Sequence, residues 1–180
     1  MAADTLAYTI TSSNASGVPD YPQITIGSAP NLVKLSPGSP VPNSYWFCVL
    51  DRKNPGTRVA EFVLPASQNT TVPDGLDKFM TSPNYIIALA TQTLNVSKVP
   101  QGNLYTYLKA HGAGRELDRL EQMNVTYSCG NSSVVTYVLT TEGGSNFGYE
   151  LGSDTARARY LMSLKLGFGG LYSLCEAYTF

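Results

Sequence analysis

The sequence predicts an α+β domain, mostly antiparallel β and sandwich-like, with two or three short helices grouped on one side. Three observations carry that expectation. Short alternating or wholly apolar runs recur towards both ends of the chain, separated by Gly, Pro, Asn and Ser. Sustained helical periodicity is confined to the stretch from about residue 101 to residue 123. At 180 residues the chain is long enough to bury one core without disulfide or metal staples.

Residues 1–44 read as a Pro- and Ser-rich arm, and residues 45–180 as a single globular domain. Within the arm, 6–10 (LAYTI) and 23–26 (QITI) alternate like strands. The surrounding prolines at 19, 22, 30, 37, 40 and 42 limit them to short or edge strands. Such a segment either crosses a neighbouring element or subunit, or leads in flexibly. Residues 45–50 (YWFCVL) are continuously apolar, the pattern of a strand buried on both faces. A Pro55-Gly56 turn returns the chain through 58–64, where Ala60, Phe62 and Leu64 face one way and Val59 and Glu61 the other. A short helix over 73–80 and a strand over 85–90 complete a strand–helix–strand unit.

A helix is expected over about 101–110, with Leu104 and Leu108 on one face, ending at Gly112. A second, from about Ala113, places Leu117 and Leu120 inward and the charged residues between Arg115 and Gln122 in water. Beyond it, 133–140 is a strand closed by the turn Glu142-Gly143-Gly144-Ser145. Strands at 147–151 and 157–166 follow, and 171–180 is a final strand or an extended tail.

Charged residues are only 14% of the chain and the net charge is −1, so no basic field draws nucleic acid or anionic lipid. No apolar run approaches the roughly 20 residues of a membrane span. The N-terminus shows no signal peptide, so the expected chain is soluble, and cytoplasmic or exported without a leader. Cys48, Cys129 and Cys175 fit neither a disulfide framework nor a zinc pattern. They read as buried free thiols, with one long-range disulfide as the alternative.

No catalytic, cofactor-binding or metal-ligating set emerges, and no cofactor is expected. The single histidine, His111, sits at a helix C-terminus, where capping suffices to explain it. Gly112-Ala113-Gly114-Arg115 could cradle an anion, but a sharp helix–helix corner needs the same residues. Asp74 and Asp77 suit a helix start; Glu116, Asp118 and Glu121 suit a solvated face with Arg115 and Arg119 as partners. Asp51, Asn54 and Asp74 lack calcium-loop spacing. Asn-x-Ser/Thr sequons at Asn14, Asn69, Asn95, Asn124 and Asn131 mark exposed loops.

The hairpin at 45–64, the helix GLDKFM, the strand NYIIALATQT and the helix ending GRELDRLEQ resemble the element order of the ILEI-type (interleukin-like EMT inducer) domain. The resemblance spans Tyr45 to about Leu151 and implies a β-sandwich-like fold with short helices. The family is associated with secreted signalling and glycan-related proteins. Its paired cysteines and Gly-Gly strand motif are absent here, and no site residue carries over. The leading functional expectation is a non-enzymatic structural protein that self-assembles into a homo-oligomer through its terminal segments. Low charge, the Pro-rich arm and the aromatic C-terminus motivate it. The alternative is a carbohydrate- or surface-binding module, since Tyr, Asn and Thr loops suit a glycan partner.

Overall fold

The computed structural model describes residues 4–14, 21–127 and 133–176. These residues form two antiparallel sheets and three short α-helices. One sheet runs β5 (Arg58–Pro65), β4 (Ser44–Asp51), β6 (Tyr85–Gln92), β8 (Val134–Glu142). The short β7 (Leu94–Asn95) continues β6 along β8, and β9 (Gly148–Ser153) pairs with β8. The other sheet has the order β11 (Tyr172–Glu176), β10 (Arg159–Leu166), β1 (Thr5–Thr11), β2 (Gln23–Ile26), β3 (Val33–Leu35). β5 and β6 are each antiparallel to β4 and so run parallel to one another, with α1 (Asp77–Met80) in their connection.

The continuous apolar run at 45–50 has a simple outcome. Tyr45, Phe47 and Val49 enter one core; Trp46, Cys48 and Leu50 enter another on the opposite face. Its neighbour divides likewise, Ile87 and Leu89 to the first and Ile86, Ala88 and Ala90 to the second. The first core is roofed by the helices: Phe79 and Met80 of α1, Leu104 and Leu108 of α2 (Gly102–Ala110), Leu117 and Leu120 of α3 (Arg115–Tyr127). The second is closed by the five-stranded sheet through Tyr8, Ile10, Ile24, Ile26, Met162 and Leu164. Among these apolar groups the Tyr8 hydroxyl finds Thr140 Oγ1 at 3.2 Å. Burial pushes the Tyr8 phenol far above its ordinary range, so it stays neutral.

One expectation about the termini changes, and the other is narrowed to one of its alternatives. Residues 5–11 are an interior strand of the five-stranded sheet, hydrogen-bonded on both sides, and not an edge. Tyr8 and Ile10 are fully buried, and burying them between the sheets is what draws this segment inward. Only the three-residue β3, which the sequence pattern did not indicate, lies at that end of the sheet as an edge. At the other terminus, 172–176 form the strand β11, and Tyr172 is buried in the second core of its own chain. Residues 177–180 lie outside the described residues.

β11 is an edge strand, yet its outer side is engaged by the other sheet. The Tyr172 N–H donates to the Arg52 carbonyl (2.8 Å), and the Leu174 N–H donates to Glu142 Oε1 (2.7 Å). Arg52 itself is nearly buried. Its Nε donates to the Tyr172 carbonyl (2.7 Å), its two terminal nitrogens to the Pro83 carbonyl (2.8 Å) and Ser173 Oγ (2.7 Å), and it pairs with Glu142 at 2.9 Å. A second pair holds the β3–β4 connection: Arg58 binds Glu61 (2.7 Å) and the Ser36 carbonyl (2.8 Å). Glu61 also accepts the indole N–H of the buried Trp46 at 3.2 Å.

Two substitutions test this layout. Ile87→Ala in the fully paired β6 should cost about 2–5 kcal/mol in urea unfolding, the transfer energy plus the cavity left behind. Arg52→Met should cost about 3 kcal/mol, because it removes the ion partner of Glu142 and leaves the Tyr172 and Pro83 carbonyls and the Ser173 hydroxyl without their donor. Amide exchange in 172–176 should accelerate before that of β4 or β6; a uniform change would contradict the role given to Arg52.

Candidate functional site

Side chains alternate along a strand, so the β1, β2 and β10 residues that do not enter the core stand on the sheet's outer face. Thr9 lies opposite Thr25, while Thr11 lies between Gln23 and Arg159. Asn14, Tyr21 and Ser36 border this floor, and Thr155, Ala156 and Arg157 raise a wall beside it. The result is an open cleft of about 820 Å³. The wall is fixed from beneath: the Thr155 and Ala156 N–H groups donate to Ser153 Oγ (3.3 and 3.1 Å), and Thr136 Oγ1 donates to the Ala156 carbonyl (2.8 Å). Hydroxyls and amides dominate the lining; among the described residues two arginines are its charged groups, and Tyr21, 38% exposed, is its aromatic surface. Such a lining can hydrogen-bond a polar, hydroxyl-bearing ligand and stack one ring, and among the described residues it holds no base or nucleophile pair.

The residues singled out in the sequence lie elsewhere. His111 follows α2, with Nδ1 2.8 Å from the Tyr107 carbonyl and its ring 4.4 Å from the Tyr107 ring. It borders a shallow recess of about 310 Å³ with Ser145 and Asn146, and no carboxylate lines that recess among the described residues. The Gly112–Arg115 corner binds an anion of the chain's own. Glu150 of β9 accepts the Gly114 and Glu116 N–H groups through Oε1 (both 2.8 Å) and the Leu117 N–H through Oε2 (3.3 Å). Its Oε2 also accepts the Tyr137 hydroxyl at 2.6 Å, and burial first, then this carboxylate, raise the Tyr137 phenol well above its usual range. The glycines permit this approach. A side chain on Gly112 (φ 104°) would stand 2.5 Å from the Phe147–Gly148 backbone.

The charged face of α3 also differs from expectation. Asp118 pairs with Lys109 of α2 (2.8 Å) and accepts the Tyr105 hydroxyl (2.6 Å), rather than meeting Arg115 or Arg119. The Lys109 hydrogen bond, then that of Tyr105, hold its carboxyl below the ordinary value. Glu116 does bind Arg119, at 3.2 Å. Asp77 opens α1 and accepts the Tyr107 hydroxyl at 3.3 Å; Asp51 shapes the turn at 51–54 by accepting the Lys53 N–H (2.8 Å). Among the described residues no three His, Cys, Asp or Glu side chains gather as a metal site.

Of the sequons, Asn14 is exposed at the cleft. Asn69 donates to the Val99 carbonyl (3.0 Å) and Asn95 accepts the Ser97 N–H (3.0 Å). Asn124 is buried within α3, so it marks no exposed loop; Asn131 lies outside the described residues. Cys48 is a buried free thiol that burial pushes up to about 12, Cys175 is a half-buried free thiol, and Cys129 lies outside the described residues. The cleft residues escaped the sequence reading because Thr9, Thr11 and Gln23 are ordinary strand residues. Their alternation with Tyr8, Ile10 and Ile24 was the available signal.

No family model matches the chain, and no curated protein matches it. No helix among the described residues is long and apolar enough to cross a membrane.

The internal occupation of the α3 N-terminus is testable. Glu150→Ala frees three N–H groups and should destabilise by about 2 kcal/mol, the upper end of a lost helix cap. Added sulfate, whose general salting-out effect acts on both proteins, should stabilise the variant more than the wild type. Equal stabilisation of both proteins would mean that Glu150 does not fill the site.

Proposed function

We propose that this chain is a non-enzymatic binding module that takes a glycan in the cleft on the outer face of the five-stranded sheet. The observation that carries the reading is the composition of that cleft. Thr9, Thr11, Gln23, Thr25 and Asn14 offer hydroxyl and amide groups in both donor and acceptor roles, and Tyr21 stands at the edge with its ring partly exposed. Sugar hydroxyls are matched by such groups, and the apolar face of a pyranose by an aromatic ring. The element order of residues 45–151, which resembles that of ILEI-type domains, agrees with a glycan-related role.

Assembly through the terminal segments draws less support. Low charge, the Pro-rich arm and the aromatic C-terminus motivate it, and a sheet edge free to pair with a second copy would serve it. The outer N–H groups of Tyr172 and Leu174 are instead satisfied by Arg52 and Glu142, which leaves less of that edge to pair with a second copy. Sedimentation over a wide concentration range should show a monomer; a concentration-dependent large species would favour assembly.

A glycan array of neutral and acidic oligosaccharides, followed by calorimetric titration of the hits, tests the binding reading. Thr11→Val with Gln23→Ala removes hydrogen-bonding groups from the floor and should weaken binding roughly tenfold, about two neutral hydrogen bonds. The thermal midpoint should change little, since both side chains stand on the solvent face. Absence of any binding at millimolar glycan would end this reading.

A further inference from the structure

Resting on that reading, we infer that the preferred ligand is an acidic saccharide, whose carboxylate or sulfate is held at Arg159. The inference comes from the sign of the charge across the whole outer face. Strand alternation and register place Thr5, Ala7, Thr9 and Thr11 of β1, Gln23 and Thr25 of β2, and Lys34 of β3 on that face. β10 adds Arg159, Leu161, Ser163 and Lys165, and β11 adds Ser173 and Cys175. These strand positions hold three cations and no carboxylate, in a chain whose net charge is −1. Among the described strand positions of this face the fixed charge is therefore positive.

Arg159 is the cation best placed to read a ligand. It is exposed, it lines the cleft, and it sits beside Thr11 in the row that continues to Gln23. It makes no ion pair among the described residues, unlike Arg52, Arg58 and Arg119, each of which holds a glutamate. Its planar fork suits a carboxylate or sulfate in two-point contact, which a neutral sugar does not offer. Lys34 lies across the face, beside Thr25, in the row Leu161–Thr9–Thr25–Lys34. Four strands at the usual spacing span roughly 14 Å, so two acidic rings of one chain can meet cations at opposite ends of the floor.

Calorimetric titration with tetragalacturonate (carboxylate) and a heparin-derived tetrasaccharide (sulfate), against cellotetraose and maltotetraose as neutral probes, tests this directly. At low salt one of the acidic probes should bind roughly fivefold or more tighter than the neutral ones, with the preference shrinking as salt is added. Which acidic probe binds identifies the anion. Arg159→Gln should bring the acidic-to-neutral affinity ratio close to one with the thermal midpoint little changed, and Lys34→Gln should reduce that ratio partially. Neutral probes binding as well as acidic ones, or an acidic preference that survives Arg159→Gln, would overturn the inference and leave the glycan reading standing. Failure of every saccharide on the array and in titration would overturn both. Equal binding of a single-stranded oligonucleotide at matched charge would overturn the inference by showing a general anion face.

Discussion

β4 is buried on both faces, and the two cores of the molecule meet across it. A strand in this position cannot alternate polar and apolar residues, because neither side reaches water. Its alternation is instead one of size and destination, with Tyr45, Phe47 and Val49 under the helices and Trp46, Cys48 and Leu50 under the second sheet. Everything else is arranged to cover those two surfaces. The helices can be short because they need only roof one face, and the N-terminal strands are recruited because the opposite face needs a second sheet. The few polar groups that enter must then be satisfied in place, as the Trp46 indole is by Glu61 and the Tyr8 hydroxyl by Thr140.

The same constraint explains where the chain spends its scarce charges. Arg52 with Glu142 and Arg58 with Glu61 stand where the second sheet, or the connection leaving it, meets the first. Ion pairs on an open surface contribute little. These pairs differ, since each also satisfies backbone groups that would otherwise be left over at the end of a sheet. Glu142 takes the Leu174 N–H, and Glu61 takes the Gly38 N–H at 3.3 Å. Glu150 does comparable service at the start of α3. Among the described residues four glutamates (Glu61, Glu116, Glu142 and Glu150) accept backbone N–H groups, and the strand positions of the outer sheet face carry hydroxyls and cations instead of carboxylates.

Much of this architecture was legible in the sequence, and the reason is local. YWFCVL, the Pro55-Gly56 turn, the Glu142–Ser145 turn and the 3.6-residue spacing of Leu104/Leu108 and Leu117/Leu120 each encode their element within a few residues. What was not legible depends on partners distant in the chain. β1 looks like an edge strand until Met162 and Ile26 are known to lie beside Tyr8. Residues 33–35 (VKL) are too short to signal a strand without β2 to pair with. Gly112–Arg115 looks vacant until Glu150, 36 residues beyond Gly114, is placed against it. The cleft was hidden for the same reason, since its floor is assembled from three strands and its wall from the loop after a fourth.

That assembly bears on how the site would work. A floor of β-strands is rigid, because each of Thr9, Thr11, Gln23 and Thr25 is carried by a ladder whose other face is packed against the second core. Their hydroxyls and amides are thus presented at fixed spacing, and little conformational entropy remains to be lost when a ligand settles on them. Arg159 is the opposite case, a long exposed side chain whose ordering has a cost on binding. In the proposed glycan reading, affinity from the floor and selectivity from the rim would have separate physical origins: shape and hydrogen bonding in one, charge in the other. The charge contribution is screened by salt and the hydrogen-bonded contribution much less so, so raising ionic strength should separate them in the wild-type protein without any substitution.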